Sequence, residues 1–193
     1  AYDVNVNGTI VLIKALKKCN RHFGLFYASS SHVYASNENL IKETDRISPQ
    51  NSYGLTKYIS ELLLQDFSKS NPFLTLCIGR IFSFYHETQK PPFLYPTLKR
   101  RFETEDLKVP FVLHGAYSTR DFLPAEEVCS IIIRIVDKKA KGIFNIASGK
   151  PTRIIDFVKN IAPSELTFKV NLDEKTNHLN ADITLLNAIL ENE

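Results

Sequence analysis

The chain lacks several features that would assign it at once to a class of protein. Its 193 residues contain no methionine and three cysteines, Cys19, Cys77 and Cys129, which lie far apart. Cysteines so few and so widely spaced predict neither a metal site nor a disulfide framework, and they favour a reducing cytoplasm. No apolar run approaches the roughly 20 residues that cross a bilayer, and no basic-then-apolar leader opens the chain. We therefore expect a cytoplasmic protein without a membrane partner.

Charge is also too scarce to indicate a partner. The net charge is +3, and the two basic clusters, at residues 99–101 and 138–141, are short. Such runs are usually solvated faces, so we expect no nucleic-acid binding. The hydrophobic fraction of 44% and the charged fraction of 23% are those of an ordinary globular protein, long enough to bury a substantial core.

Secondary-structure signals alternate along the first half of the chain. Residues 3–18 show helical spacing of apolar side chains, residues 25–29 read as a strand, and residues 53–69 read as a second helix. The nearly continuous apolar run at 73–84 is typical of a parallel strand covered on both faces. Helix, strand, helix, strand predicts an α/β sheet with right-handed crossovers. Further helices are predicted at 93–105, 125–138, 152–161 and from 181 onward, and further strands at 109–114 and 142–147.

A hydroxyl-rich strand end and a Tyr–Lys pair carry the chemistry. The first predicted strand ends in three serines, and Tyr53 and Lys57 open the helix that follows one loop later. Side chains at i and i+4 project from the same side of a helix, and a fixed ammonium lowers the pKa of a nearby phenol. Such a tyrosine can exchange a proton with an alcohol whose oxygen a serine holds in line. The pattern indicates proton transfer at a carbon-bound oxygen, with a nicotinamide exchanging hydride with that carbon; a surface Tyr and Lys is the alternative reading.

Five stretches in this order resemble the extended short-chain dehydrogenases/reductases, and within them the NAD-dependent epimerase/dehydratase enzymes that act on nucleotide sugars. They are NVNGT at 5–9, ASSSHVYA at 28–35, SPQNSYGLTK at 48–57, GRIFSFY at 79–85 and STRDFLPAEEV at 118–128.

The resemblance implies a set of site residues. It implies catalytic roles for Ser30, Tyr53 and Lys57. It places Asn5, Ser29 and Phe82 beside the cofactor, NAD or NADP, together with Tyr53 and Lys57. It places Ser30, Ser83 and Arg120 beside the nucleotide-sugar substrate, with Ser83 standing where the family usually has Asn. An arginine suits the bidentate contact that a diphosphate offers.

The resemblance also implies an architecture. We expect a Rossmann-like, doubly wound parallel sheet in residues 1–84 and a small substrate-binding lobe in 85–193, with a returning strand and helices of the sheet domain. The family's glycine-rich turn, which binds the pyrophosphate, is missing, because all seven glycines are isolated. We therefore expect a piece of a longer protein without the first part of the sheet. Members of the family pair through two helices, which predicts a homodimer through 3–18 and 53–69.

Three activities remain to be weighed. In the 4,6-dehydratases of this family, acidic residues follow the catalytic Thr and drive the elimination of water. Ser31 and His32 stand there in this chain, so dehydration is not expected. A 4-epimerase and a 4-keto-sugar reductase both remain, and His32 is expected at the substrate rim or in a structural role. The alternative to an enzyme is a truncated, inactive piece that serves as a binding or assembly module.

Overall fold

The computed structural model describes residues 1–191, which form an α/β fold. The chain opens with a π-helical turn at Asp3–Asn7, and a short 3-10 turn lies at Ser31–Val33. The α-helices are α1 Gly8–Leu16, α2 Ser52–Ser70, α3 Leu94–Thr104, α4 Ala125–Asp137, α5 Ile154–Ile161 and α6 Thr184–Glu191. The strands are β1 Phe23–Ser30, β2 Leu74–Ile81, β3 Ser83–Tyr85, β4 Phe111–Leu113, β5 Thr119–Pro124, β6 Gly142–Ile146, β7 Pro151–Arg153, β8 Phe168–Val170 and β9 His178–Leu179.

A parallel sheet in the order β1-β2-β6 forms the centre of the fold. Alternate residues of β2 point to opposite faces, which explains why its sequence is apolar throughout. Leu74, Leu76 and Ile78 pack against α2, while Cys77 belongs to the cluster formed with α4 and α6. The predicted Rossmann-like parallel sheet with helices on both sides is confirmed.

The predicted strand at 73–84 is wrong in one respect, because the structure divides it into two strands. Phe82, between the two strands, is buried, and its backbone N–H still donates to Ile146 O of β6. The next three residues, Ser83–Tyr85, form β3 and pair with β5 in a second sheet. Because of this break, the end of β2 and the start of β3 both border the same cleft in the structure.

The second sheet centres on β5, which pairs with β3, β7 and β9. Strand β7 corrects the prediction of a helix from Thr152: Pro151–Arg153 pairs antiparallel with β5, and α5 begins at Ile154. An aromatic and aliphatic core packs β4, β8, α3 and α5 beneath this sheet. The strands here have two to six residues, too few for a period-2 pattern to show.

The two ends of the chain match the predictions in type and differ in extent. The first predicted helix, at 3–18, begins as the π-helical turn and ends at Leu16. The last helix spans Thr184–Glu191, and residues 192–193 of that prediction lie outside the described residues. None of the helices in residues 1–191 has both the length and the apolar character that a membrane span requires.

Candidate active site

A cleft of about 750 Å³ lies where the carboxyl ends of β1 and β2 face the second sheet. Ligands of open α/β sheets bind at this edge, because the loops that follow the strands converge there. The cleft brings together all but one of the predicted site residues. These are Ser29, Ser30, Tyr53, Lys57, Phe82, Ser83 and Arg120.

Helix α2 presents Tyr53 and Lys57 to the cleft from its first two turns. Asn51 caps the helix, since its Oδ1 accepts a hydrogen bond of 2.8 Å from the Gly54 N–H. Lys57 Nζ donates to Ala28 O of β1 at 2.9 Å and lies 5.9 Å from the centre of the Tyr53 ring. Burial lowers the pKa of Lys57. The ammonium is therefore held between the strand end and the tyrosine, as the i, i+4 spacing predicts.

Gly54 allows α2 to approach the end of β1. A Cβ atom at this position would lie 2.0 Å from the backbone oxygen of His32, so no larger residue fits without a shift of backbone. The first turn of α2 thus rests directly on the segment that follows Ser30. This contact sets the position of Tyr53 relative to the serine.

Ser30 is the last residue of β1, and its side chain is buried at the cleft. Its Oγ accepts a hydrogen bond of 3.2 Å from the His32 N–H and so caps the 3-10 turn. A hydroxyl can accept and donate at once. Ser30 therefore keeps its O–H as a donor for a ligand oxygen.

Ser29 points to a buried ion pair behind the cleft. Its Oγ donates to a carboxylate oxygen of Glu61 on α2, and Arg80 Nη2 donates to the same carboxylate at 2.8 Å. Glu61 is 0% exposed and Arg80 is 3% exposed. Arg80 also donates to the Tyr34 hydroxyl at 2.8 Å, and burial raises the pKa of Tyr34 to about 12. The assignment of Ser29 to the cofactor stays a prediction, because its hydroxyl is committed to Glu61 here.

Sequence reasoning missed Glu61 and Arg80, although one signal was present. Glu61 follows Lys57 by four residues and Tyr53 by eight, so the helical period places all three on one side of α2. A carboxylate on that side needs a partner once the helix packs on the sheet. Glu61 joins α2 to β2 through the ion pair with Arg80 and to β1 through the hydrogen bond from Ser29.

Arg120 reaches the cleft from β5. Its Nη1 donates to two backbone oxygens, Thr119 O at 2.8 Å and Asn177 O at 2.7 Å. Within residues 1–191 it has no carboxylate partner, and burial lowers the pKa of the guanidinium. Carbonyl oxygens orient the group without neutralising it. The remaining N–H groups and the charge are thus available to an anion.

Asn5 is the predicted site residue that does not line the cleft. Its Nδ2 donates to Thr56 Oγ1 at 2.9 Å, and its backbone oxygen accepts from the Ser60 hydroxyl. These bonds join the start of the chain to α2. Its role beside the cofactor stays a prediction.

The far wall of the cleft is aromatic. It is formed by Phe84, Tyr85, Phe93, Tyr95, Phe122 and Phe157. Phe122 and Phe157 stack with their ring centres 4.0 Å apart. The sequence shows scattered aromatic residues in the lobe without indicating that they share one wall.

The charge of the cleft has one sign. No Asp or Glu is among the lining residues in the described part of the chain, whereas Lys57 and Arg120 both are. Across residues 1–191, no group of three or more His, Cys, Asp or Glu side chains is placed to hold a metal ion. The positive charge of Lys57 and Arg120 suits the cleft to an anionic ligand.

Comparison with known proteins identifies the family. A family model described as GDP-mannose 4,6 dehydratase matches residues 1–185. The chain therefore belongs to the NAD-dependent epimerase/dehydratase family of extended short-chain dehydrogenases/reductases, as the motifs predicted.

Two curated relatives are similar over most of the chain. A UDP-glucose 4-epimerase of Mycoplasma genitalium is 29% identical over 88% of this chain, and a GDP-6-deoxy-D-mannose reductase of Pseudomonas aeruginosa is 26% identical over 85% of it. The chain spans 57% of the length of each.

Solved structures confirm the fold. A dTDP-glucose 4,6-dehydratase of Bacillus anthracis in complex with NAD gives a TM-score of 0.83 at 21% identity, over 100% of this chain and 63% of its own. The protein RMD of Pseudomonas aeruginosa complexed with NADPH gives 0.85 at 20% identity, over 98% of this chain and 67% of its own.

Proposed function

We propose that this chain forms the substrate side of an NAD(P)-dependent enzyme that transfers hydride at a carbon of a nucleotide sugar, as a 4-epimerase or a 4-keto-sugar reductase. One observation carries the proposal: a single cleft, with no carboxylate in its lining among residues 1–191, holds Ser30, the Tyr53–Lys57 pair and Arg120. The first three can manage a proton on a sugar oxygen, and Arg120 can hold a diphosphate. The epimerase and the reductase among the relatives each support one of the two reactions.

The residues present fit the nicotinamide and ribose end of the cofactor. Lys57 has three N–H donors and uses one of them on Ala28 O, which leaves two for ribose hydroxyls. Phe82 lines the cleft beside them, and we propose it as an apolar neighbour of the nicotinamide. The isolated glycines of the chain do not form the pyrophosphate turn, so the fit is limited to this end. NAD or NADP, when bound, supplies the acceptor or donor of the hydride.

The protein side of the reaction is proton transfer and orientation. Tyr53 removes the proton from a sugar hydroxyl, or returns it, as hydride leaves or joins the carbon. Ser30 donates its O–H to the same oxygen and keeps it in line with Tyr53. Lys57 holds a positive charge 5.9 Å from the centre of the Tyr53 ring. The groups meet because α2 rests on the segment that follows β1.

Arg120 and Ser83 belong to the part of the cleft that would hold the rest of the substrate. Arg120 offers charge-assisted hydrogen bonds to the diphosphate. Ser83 lies at the start of β3, between the sheet and the lobe, where a short hydroxyl can reach the sugar. Among the described residues no carboxylate lines the cleft, which argues against the dehydratase reaction, for which the family uses acidic residues.

The experiment that tests the proposed function offers two reactions to the complete polypeptide encoded by the reading frame that contains this chain. One is the conversion of UDP-glucose with NAD, and the other is the reduction of a GDP-linked 4-keto-6-deoxy sugar with NADPH. Turnover in either reaction supports the proposal. Binding of the nucleotide sugar without turnover in either favours the alternative, an inactive binding or assembly module.

Replacing Arg120 with Ala should act mainly on substrate affinity. Loss of a charge-assisted hydrogen bond costs about 1.5–3 kcal/mol, so KM for the nucleotide sugar should rise about tenfold to hundredfold. Binding of NAD(H) should change little. Steady-state kinetics measure both, with Arg100→Ala as the control, because Arg100 is exposed on α3 and does not line the cleft. An unchanged KM in Arg120→Ala would assign the arginine to structure alone.

We also propose a homodimer through α1 and α2. These helices and the turn before α1 expose large apolar side chains that have no cover within residues 1–191. They are Val4, Val11, Leu12, Leu55 and Leu62. A second copy would bury them, and sedimentation equilibrium measures the resulting mass.

A further inference from the structure

His32 lines the cleft together with Tyr53 and Arg120. Its ring stands edge-on to Tyr53, with the ring centres 5.8 Å apart. Arg120 lines the same cleft and is near enough to act on the imidazole electrostatically. The side chain is exposed to the cleft and contributes nothing to the core. Its position therefore calls for a ligand-related role.

Hydrogen bonds around Asn51 fix which nitrogen of His32 carries the proton. A backbone N–H can only donate, so the atom of Asn51 that meets the Gly54 N–H at 2.8 Å must be the oxygen. The amide nitrogen of Asn51 then faces His32 Nδ1 at 3.0 Å and donates to it. Nδ1 is thus an acceptor without a proton. In a neutral ring the proton is on Nε2.

The surroundings keep the ring neutral. Burial lowers the pKa of His32, and the positive charge of Arg120 lowers it further. From α2 the ring is met by Asn51, which supplies a donor, and by the Tyr53 ring. A proton on Nδ1 would oppose the Asn51 donor. His32 therefore offers one N–H, at Nε2, and in the described part of the chain this group has no hydrogen-bond partner.

We propose that His32 is a substrate-binding donor whose Nε2–H bonds an oxygen of the nucleotide sugar, in the stretch between the hydroxyl served by Tyr53 and the diphosphate held by Arg120. The inference rests on the proposed function and adds a specificity-determining residue to it. Asn51 has a second role in this arrangement, because the side chain that caps α2 also sets the tautomer of His32. The Gly54 contact with the His32 backbone holds the ring and the helix in one register.

A pair of substitutions separates this role from simple packing. The amide nitrogen of Gln occupies a position similar to that of His Nε2, whereas the shorter amide of Asn reaches only the position of Nδ1. His32→Gln should keep kcat/KM within about threefold of the wild type. His32→Asn should lower kcat/KM about tenfold, which corresponds to the loss of one hydrogen bond of about 1.4 kcal/mol. The loss should fall mainly on KM. Equal activities of the two variants would overturn the proposal.

The tautomer has a readout that does not depend on turnover. Long-range proton–nitrogen NMR spectra of protein with labelled histidine distinguish a protonated ring nitrogen from an unprotonated one. The His32 signals, assigned by their loss in His32→Gln, should show Nδ1 unprotonated and Nε2 protonated at neutral pH. A proton on Nδ1 would contradict the assignment.

The outcomes for His32 and for the proposed function can be told apart. Both His32 variants are assayed with UDP-glucose and NAD, and with the GDP-linked 4-keto-6-deoxy sugar and NADPH, beside Tyr53→Phe. Full turnover in Tyr53→Phe would contradict the proposed function whatever His32 does. A strong loss of turnover in Tyr53→Phe together with unchanged kcat/KM in His32→Asn would contradict the substrate-binding role of His32 and leave the proposed function standing.

Discussion

Replacing Tyr53 with Phe should lower kcat by about 10²-fold or more while leaving the fold intact. The ring is 42% exposed in the cleft, so its packing does not depend on the hydroxyl. The substitution removes the group that exchanges a proton with the sugar, and a positioned acid–base contributes roughly 10²–10⁴-fold. Single-turnover and steady-state kinetics on the complete polypeptide measure the effect.

A second tyrosine on the same helix provides the control. Tyr58 is partly buried against the cluster that contains Phe82, and its hydroxyl is not part of the cleft. Tyr58→Phe should keep kcat near the wild-type value. If Tyr53→Phe also keeps it, Tyr53 has no part in the mechanism and the proposed function loses its acid–base.

Removing Glu61 should destabilise the protein more than any other single change considered. Glu61→Ala leaves the Arg80 guanidinium buried, with the Tyr34 hydroxyl and the backbone oxygen of Glu43 as its remaining hydrogen-bond partners. Breaking a buried ion pair on one side costs about 3–5 kcal/mol, because the other charge remains without compensation. Urea unfolding followed by circular dichroism measures the free energy of unfolding.

Two further variants test whether the uncompensated buried charge is the cause of the lost stability. Asp66 lies on the same helix and is exposed, so Asp66→Ala should change the free energy of unfolding by no more than about 0.5 kcal/mol. The double variant Glu61→Leu, Arg80→Leu removes both charges and should lose less than Glu61→Ala alone, since no charge remains buried. A double variant that is less stable than Glu61→Ala would show that the two side chains stabilise the fold by more than the neutralisation of each other's charge.

The ion pair also connects stability to the site. Glu61 binds Ser29, the neighbour of Ser30, and lies on the helix that carries Tyr53. The helix and the strand end are thus held together twice, at Glu61 and at Lys57. Variants of Glu61 that remain folded are therefore expected to lower kcat as well.

Local patterns explain what the sequence could predict. Tyr53 and Lys57 share a helix side by their spacing, and the order of elements places a serine-bearing strand end near them. The choice of Ser30 among the three serines came from the resemblance to the family. The parallel sheet followed from the apolar run of β2, which has no polar face. These inferences depend on neighbours within about ten residues.

The features that could not be predicted from the sequence depend on contacts between distant segments. Arg80 and Glu61 are buried together, although they are 19 positions apart and lie on different elements. Thr152 resembles a helix start, and tertiary pairing with Arg120 of β5 made its segment a strand instead. The position of His32 beside Tyr53 depends on the close approach at Gly54, which no periodic pattern records.

Direct transfer of hydrogen between sugar and cofactor is the measurement closest to the central claim. UDP-glucose carrying deuterium at sugar C4 is incubated with NAD and the complete polypeptide, and deuterated NADPH is incubated with the GDP-linked 4-keto-6-deoxy sugar. Hydride transfer predicts one of two results by mass spectrometry. Either a UDP-sugar inverted at C4 forms and keeps its deuterium, because the hydride returns to the same sugar, or a reduced GDP-sugar forms and carries at C4 the deuterium of the nicotinamide. Loss of the deuterium to water in the inverted UDP-sugar, or a reduced GDP-sugar without deuterium at C4, would contradict hydride transfer in this cleft.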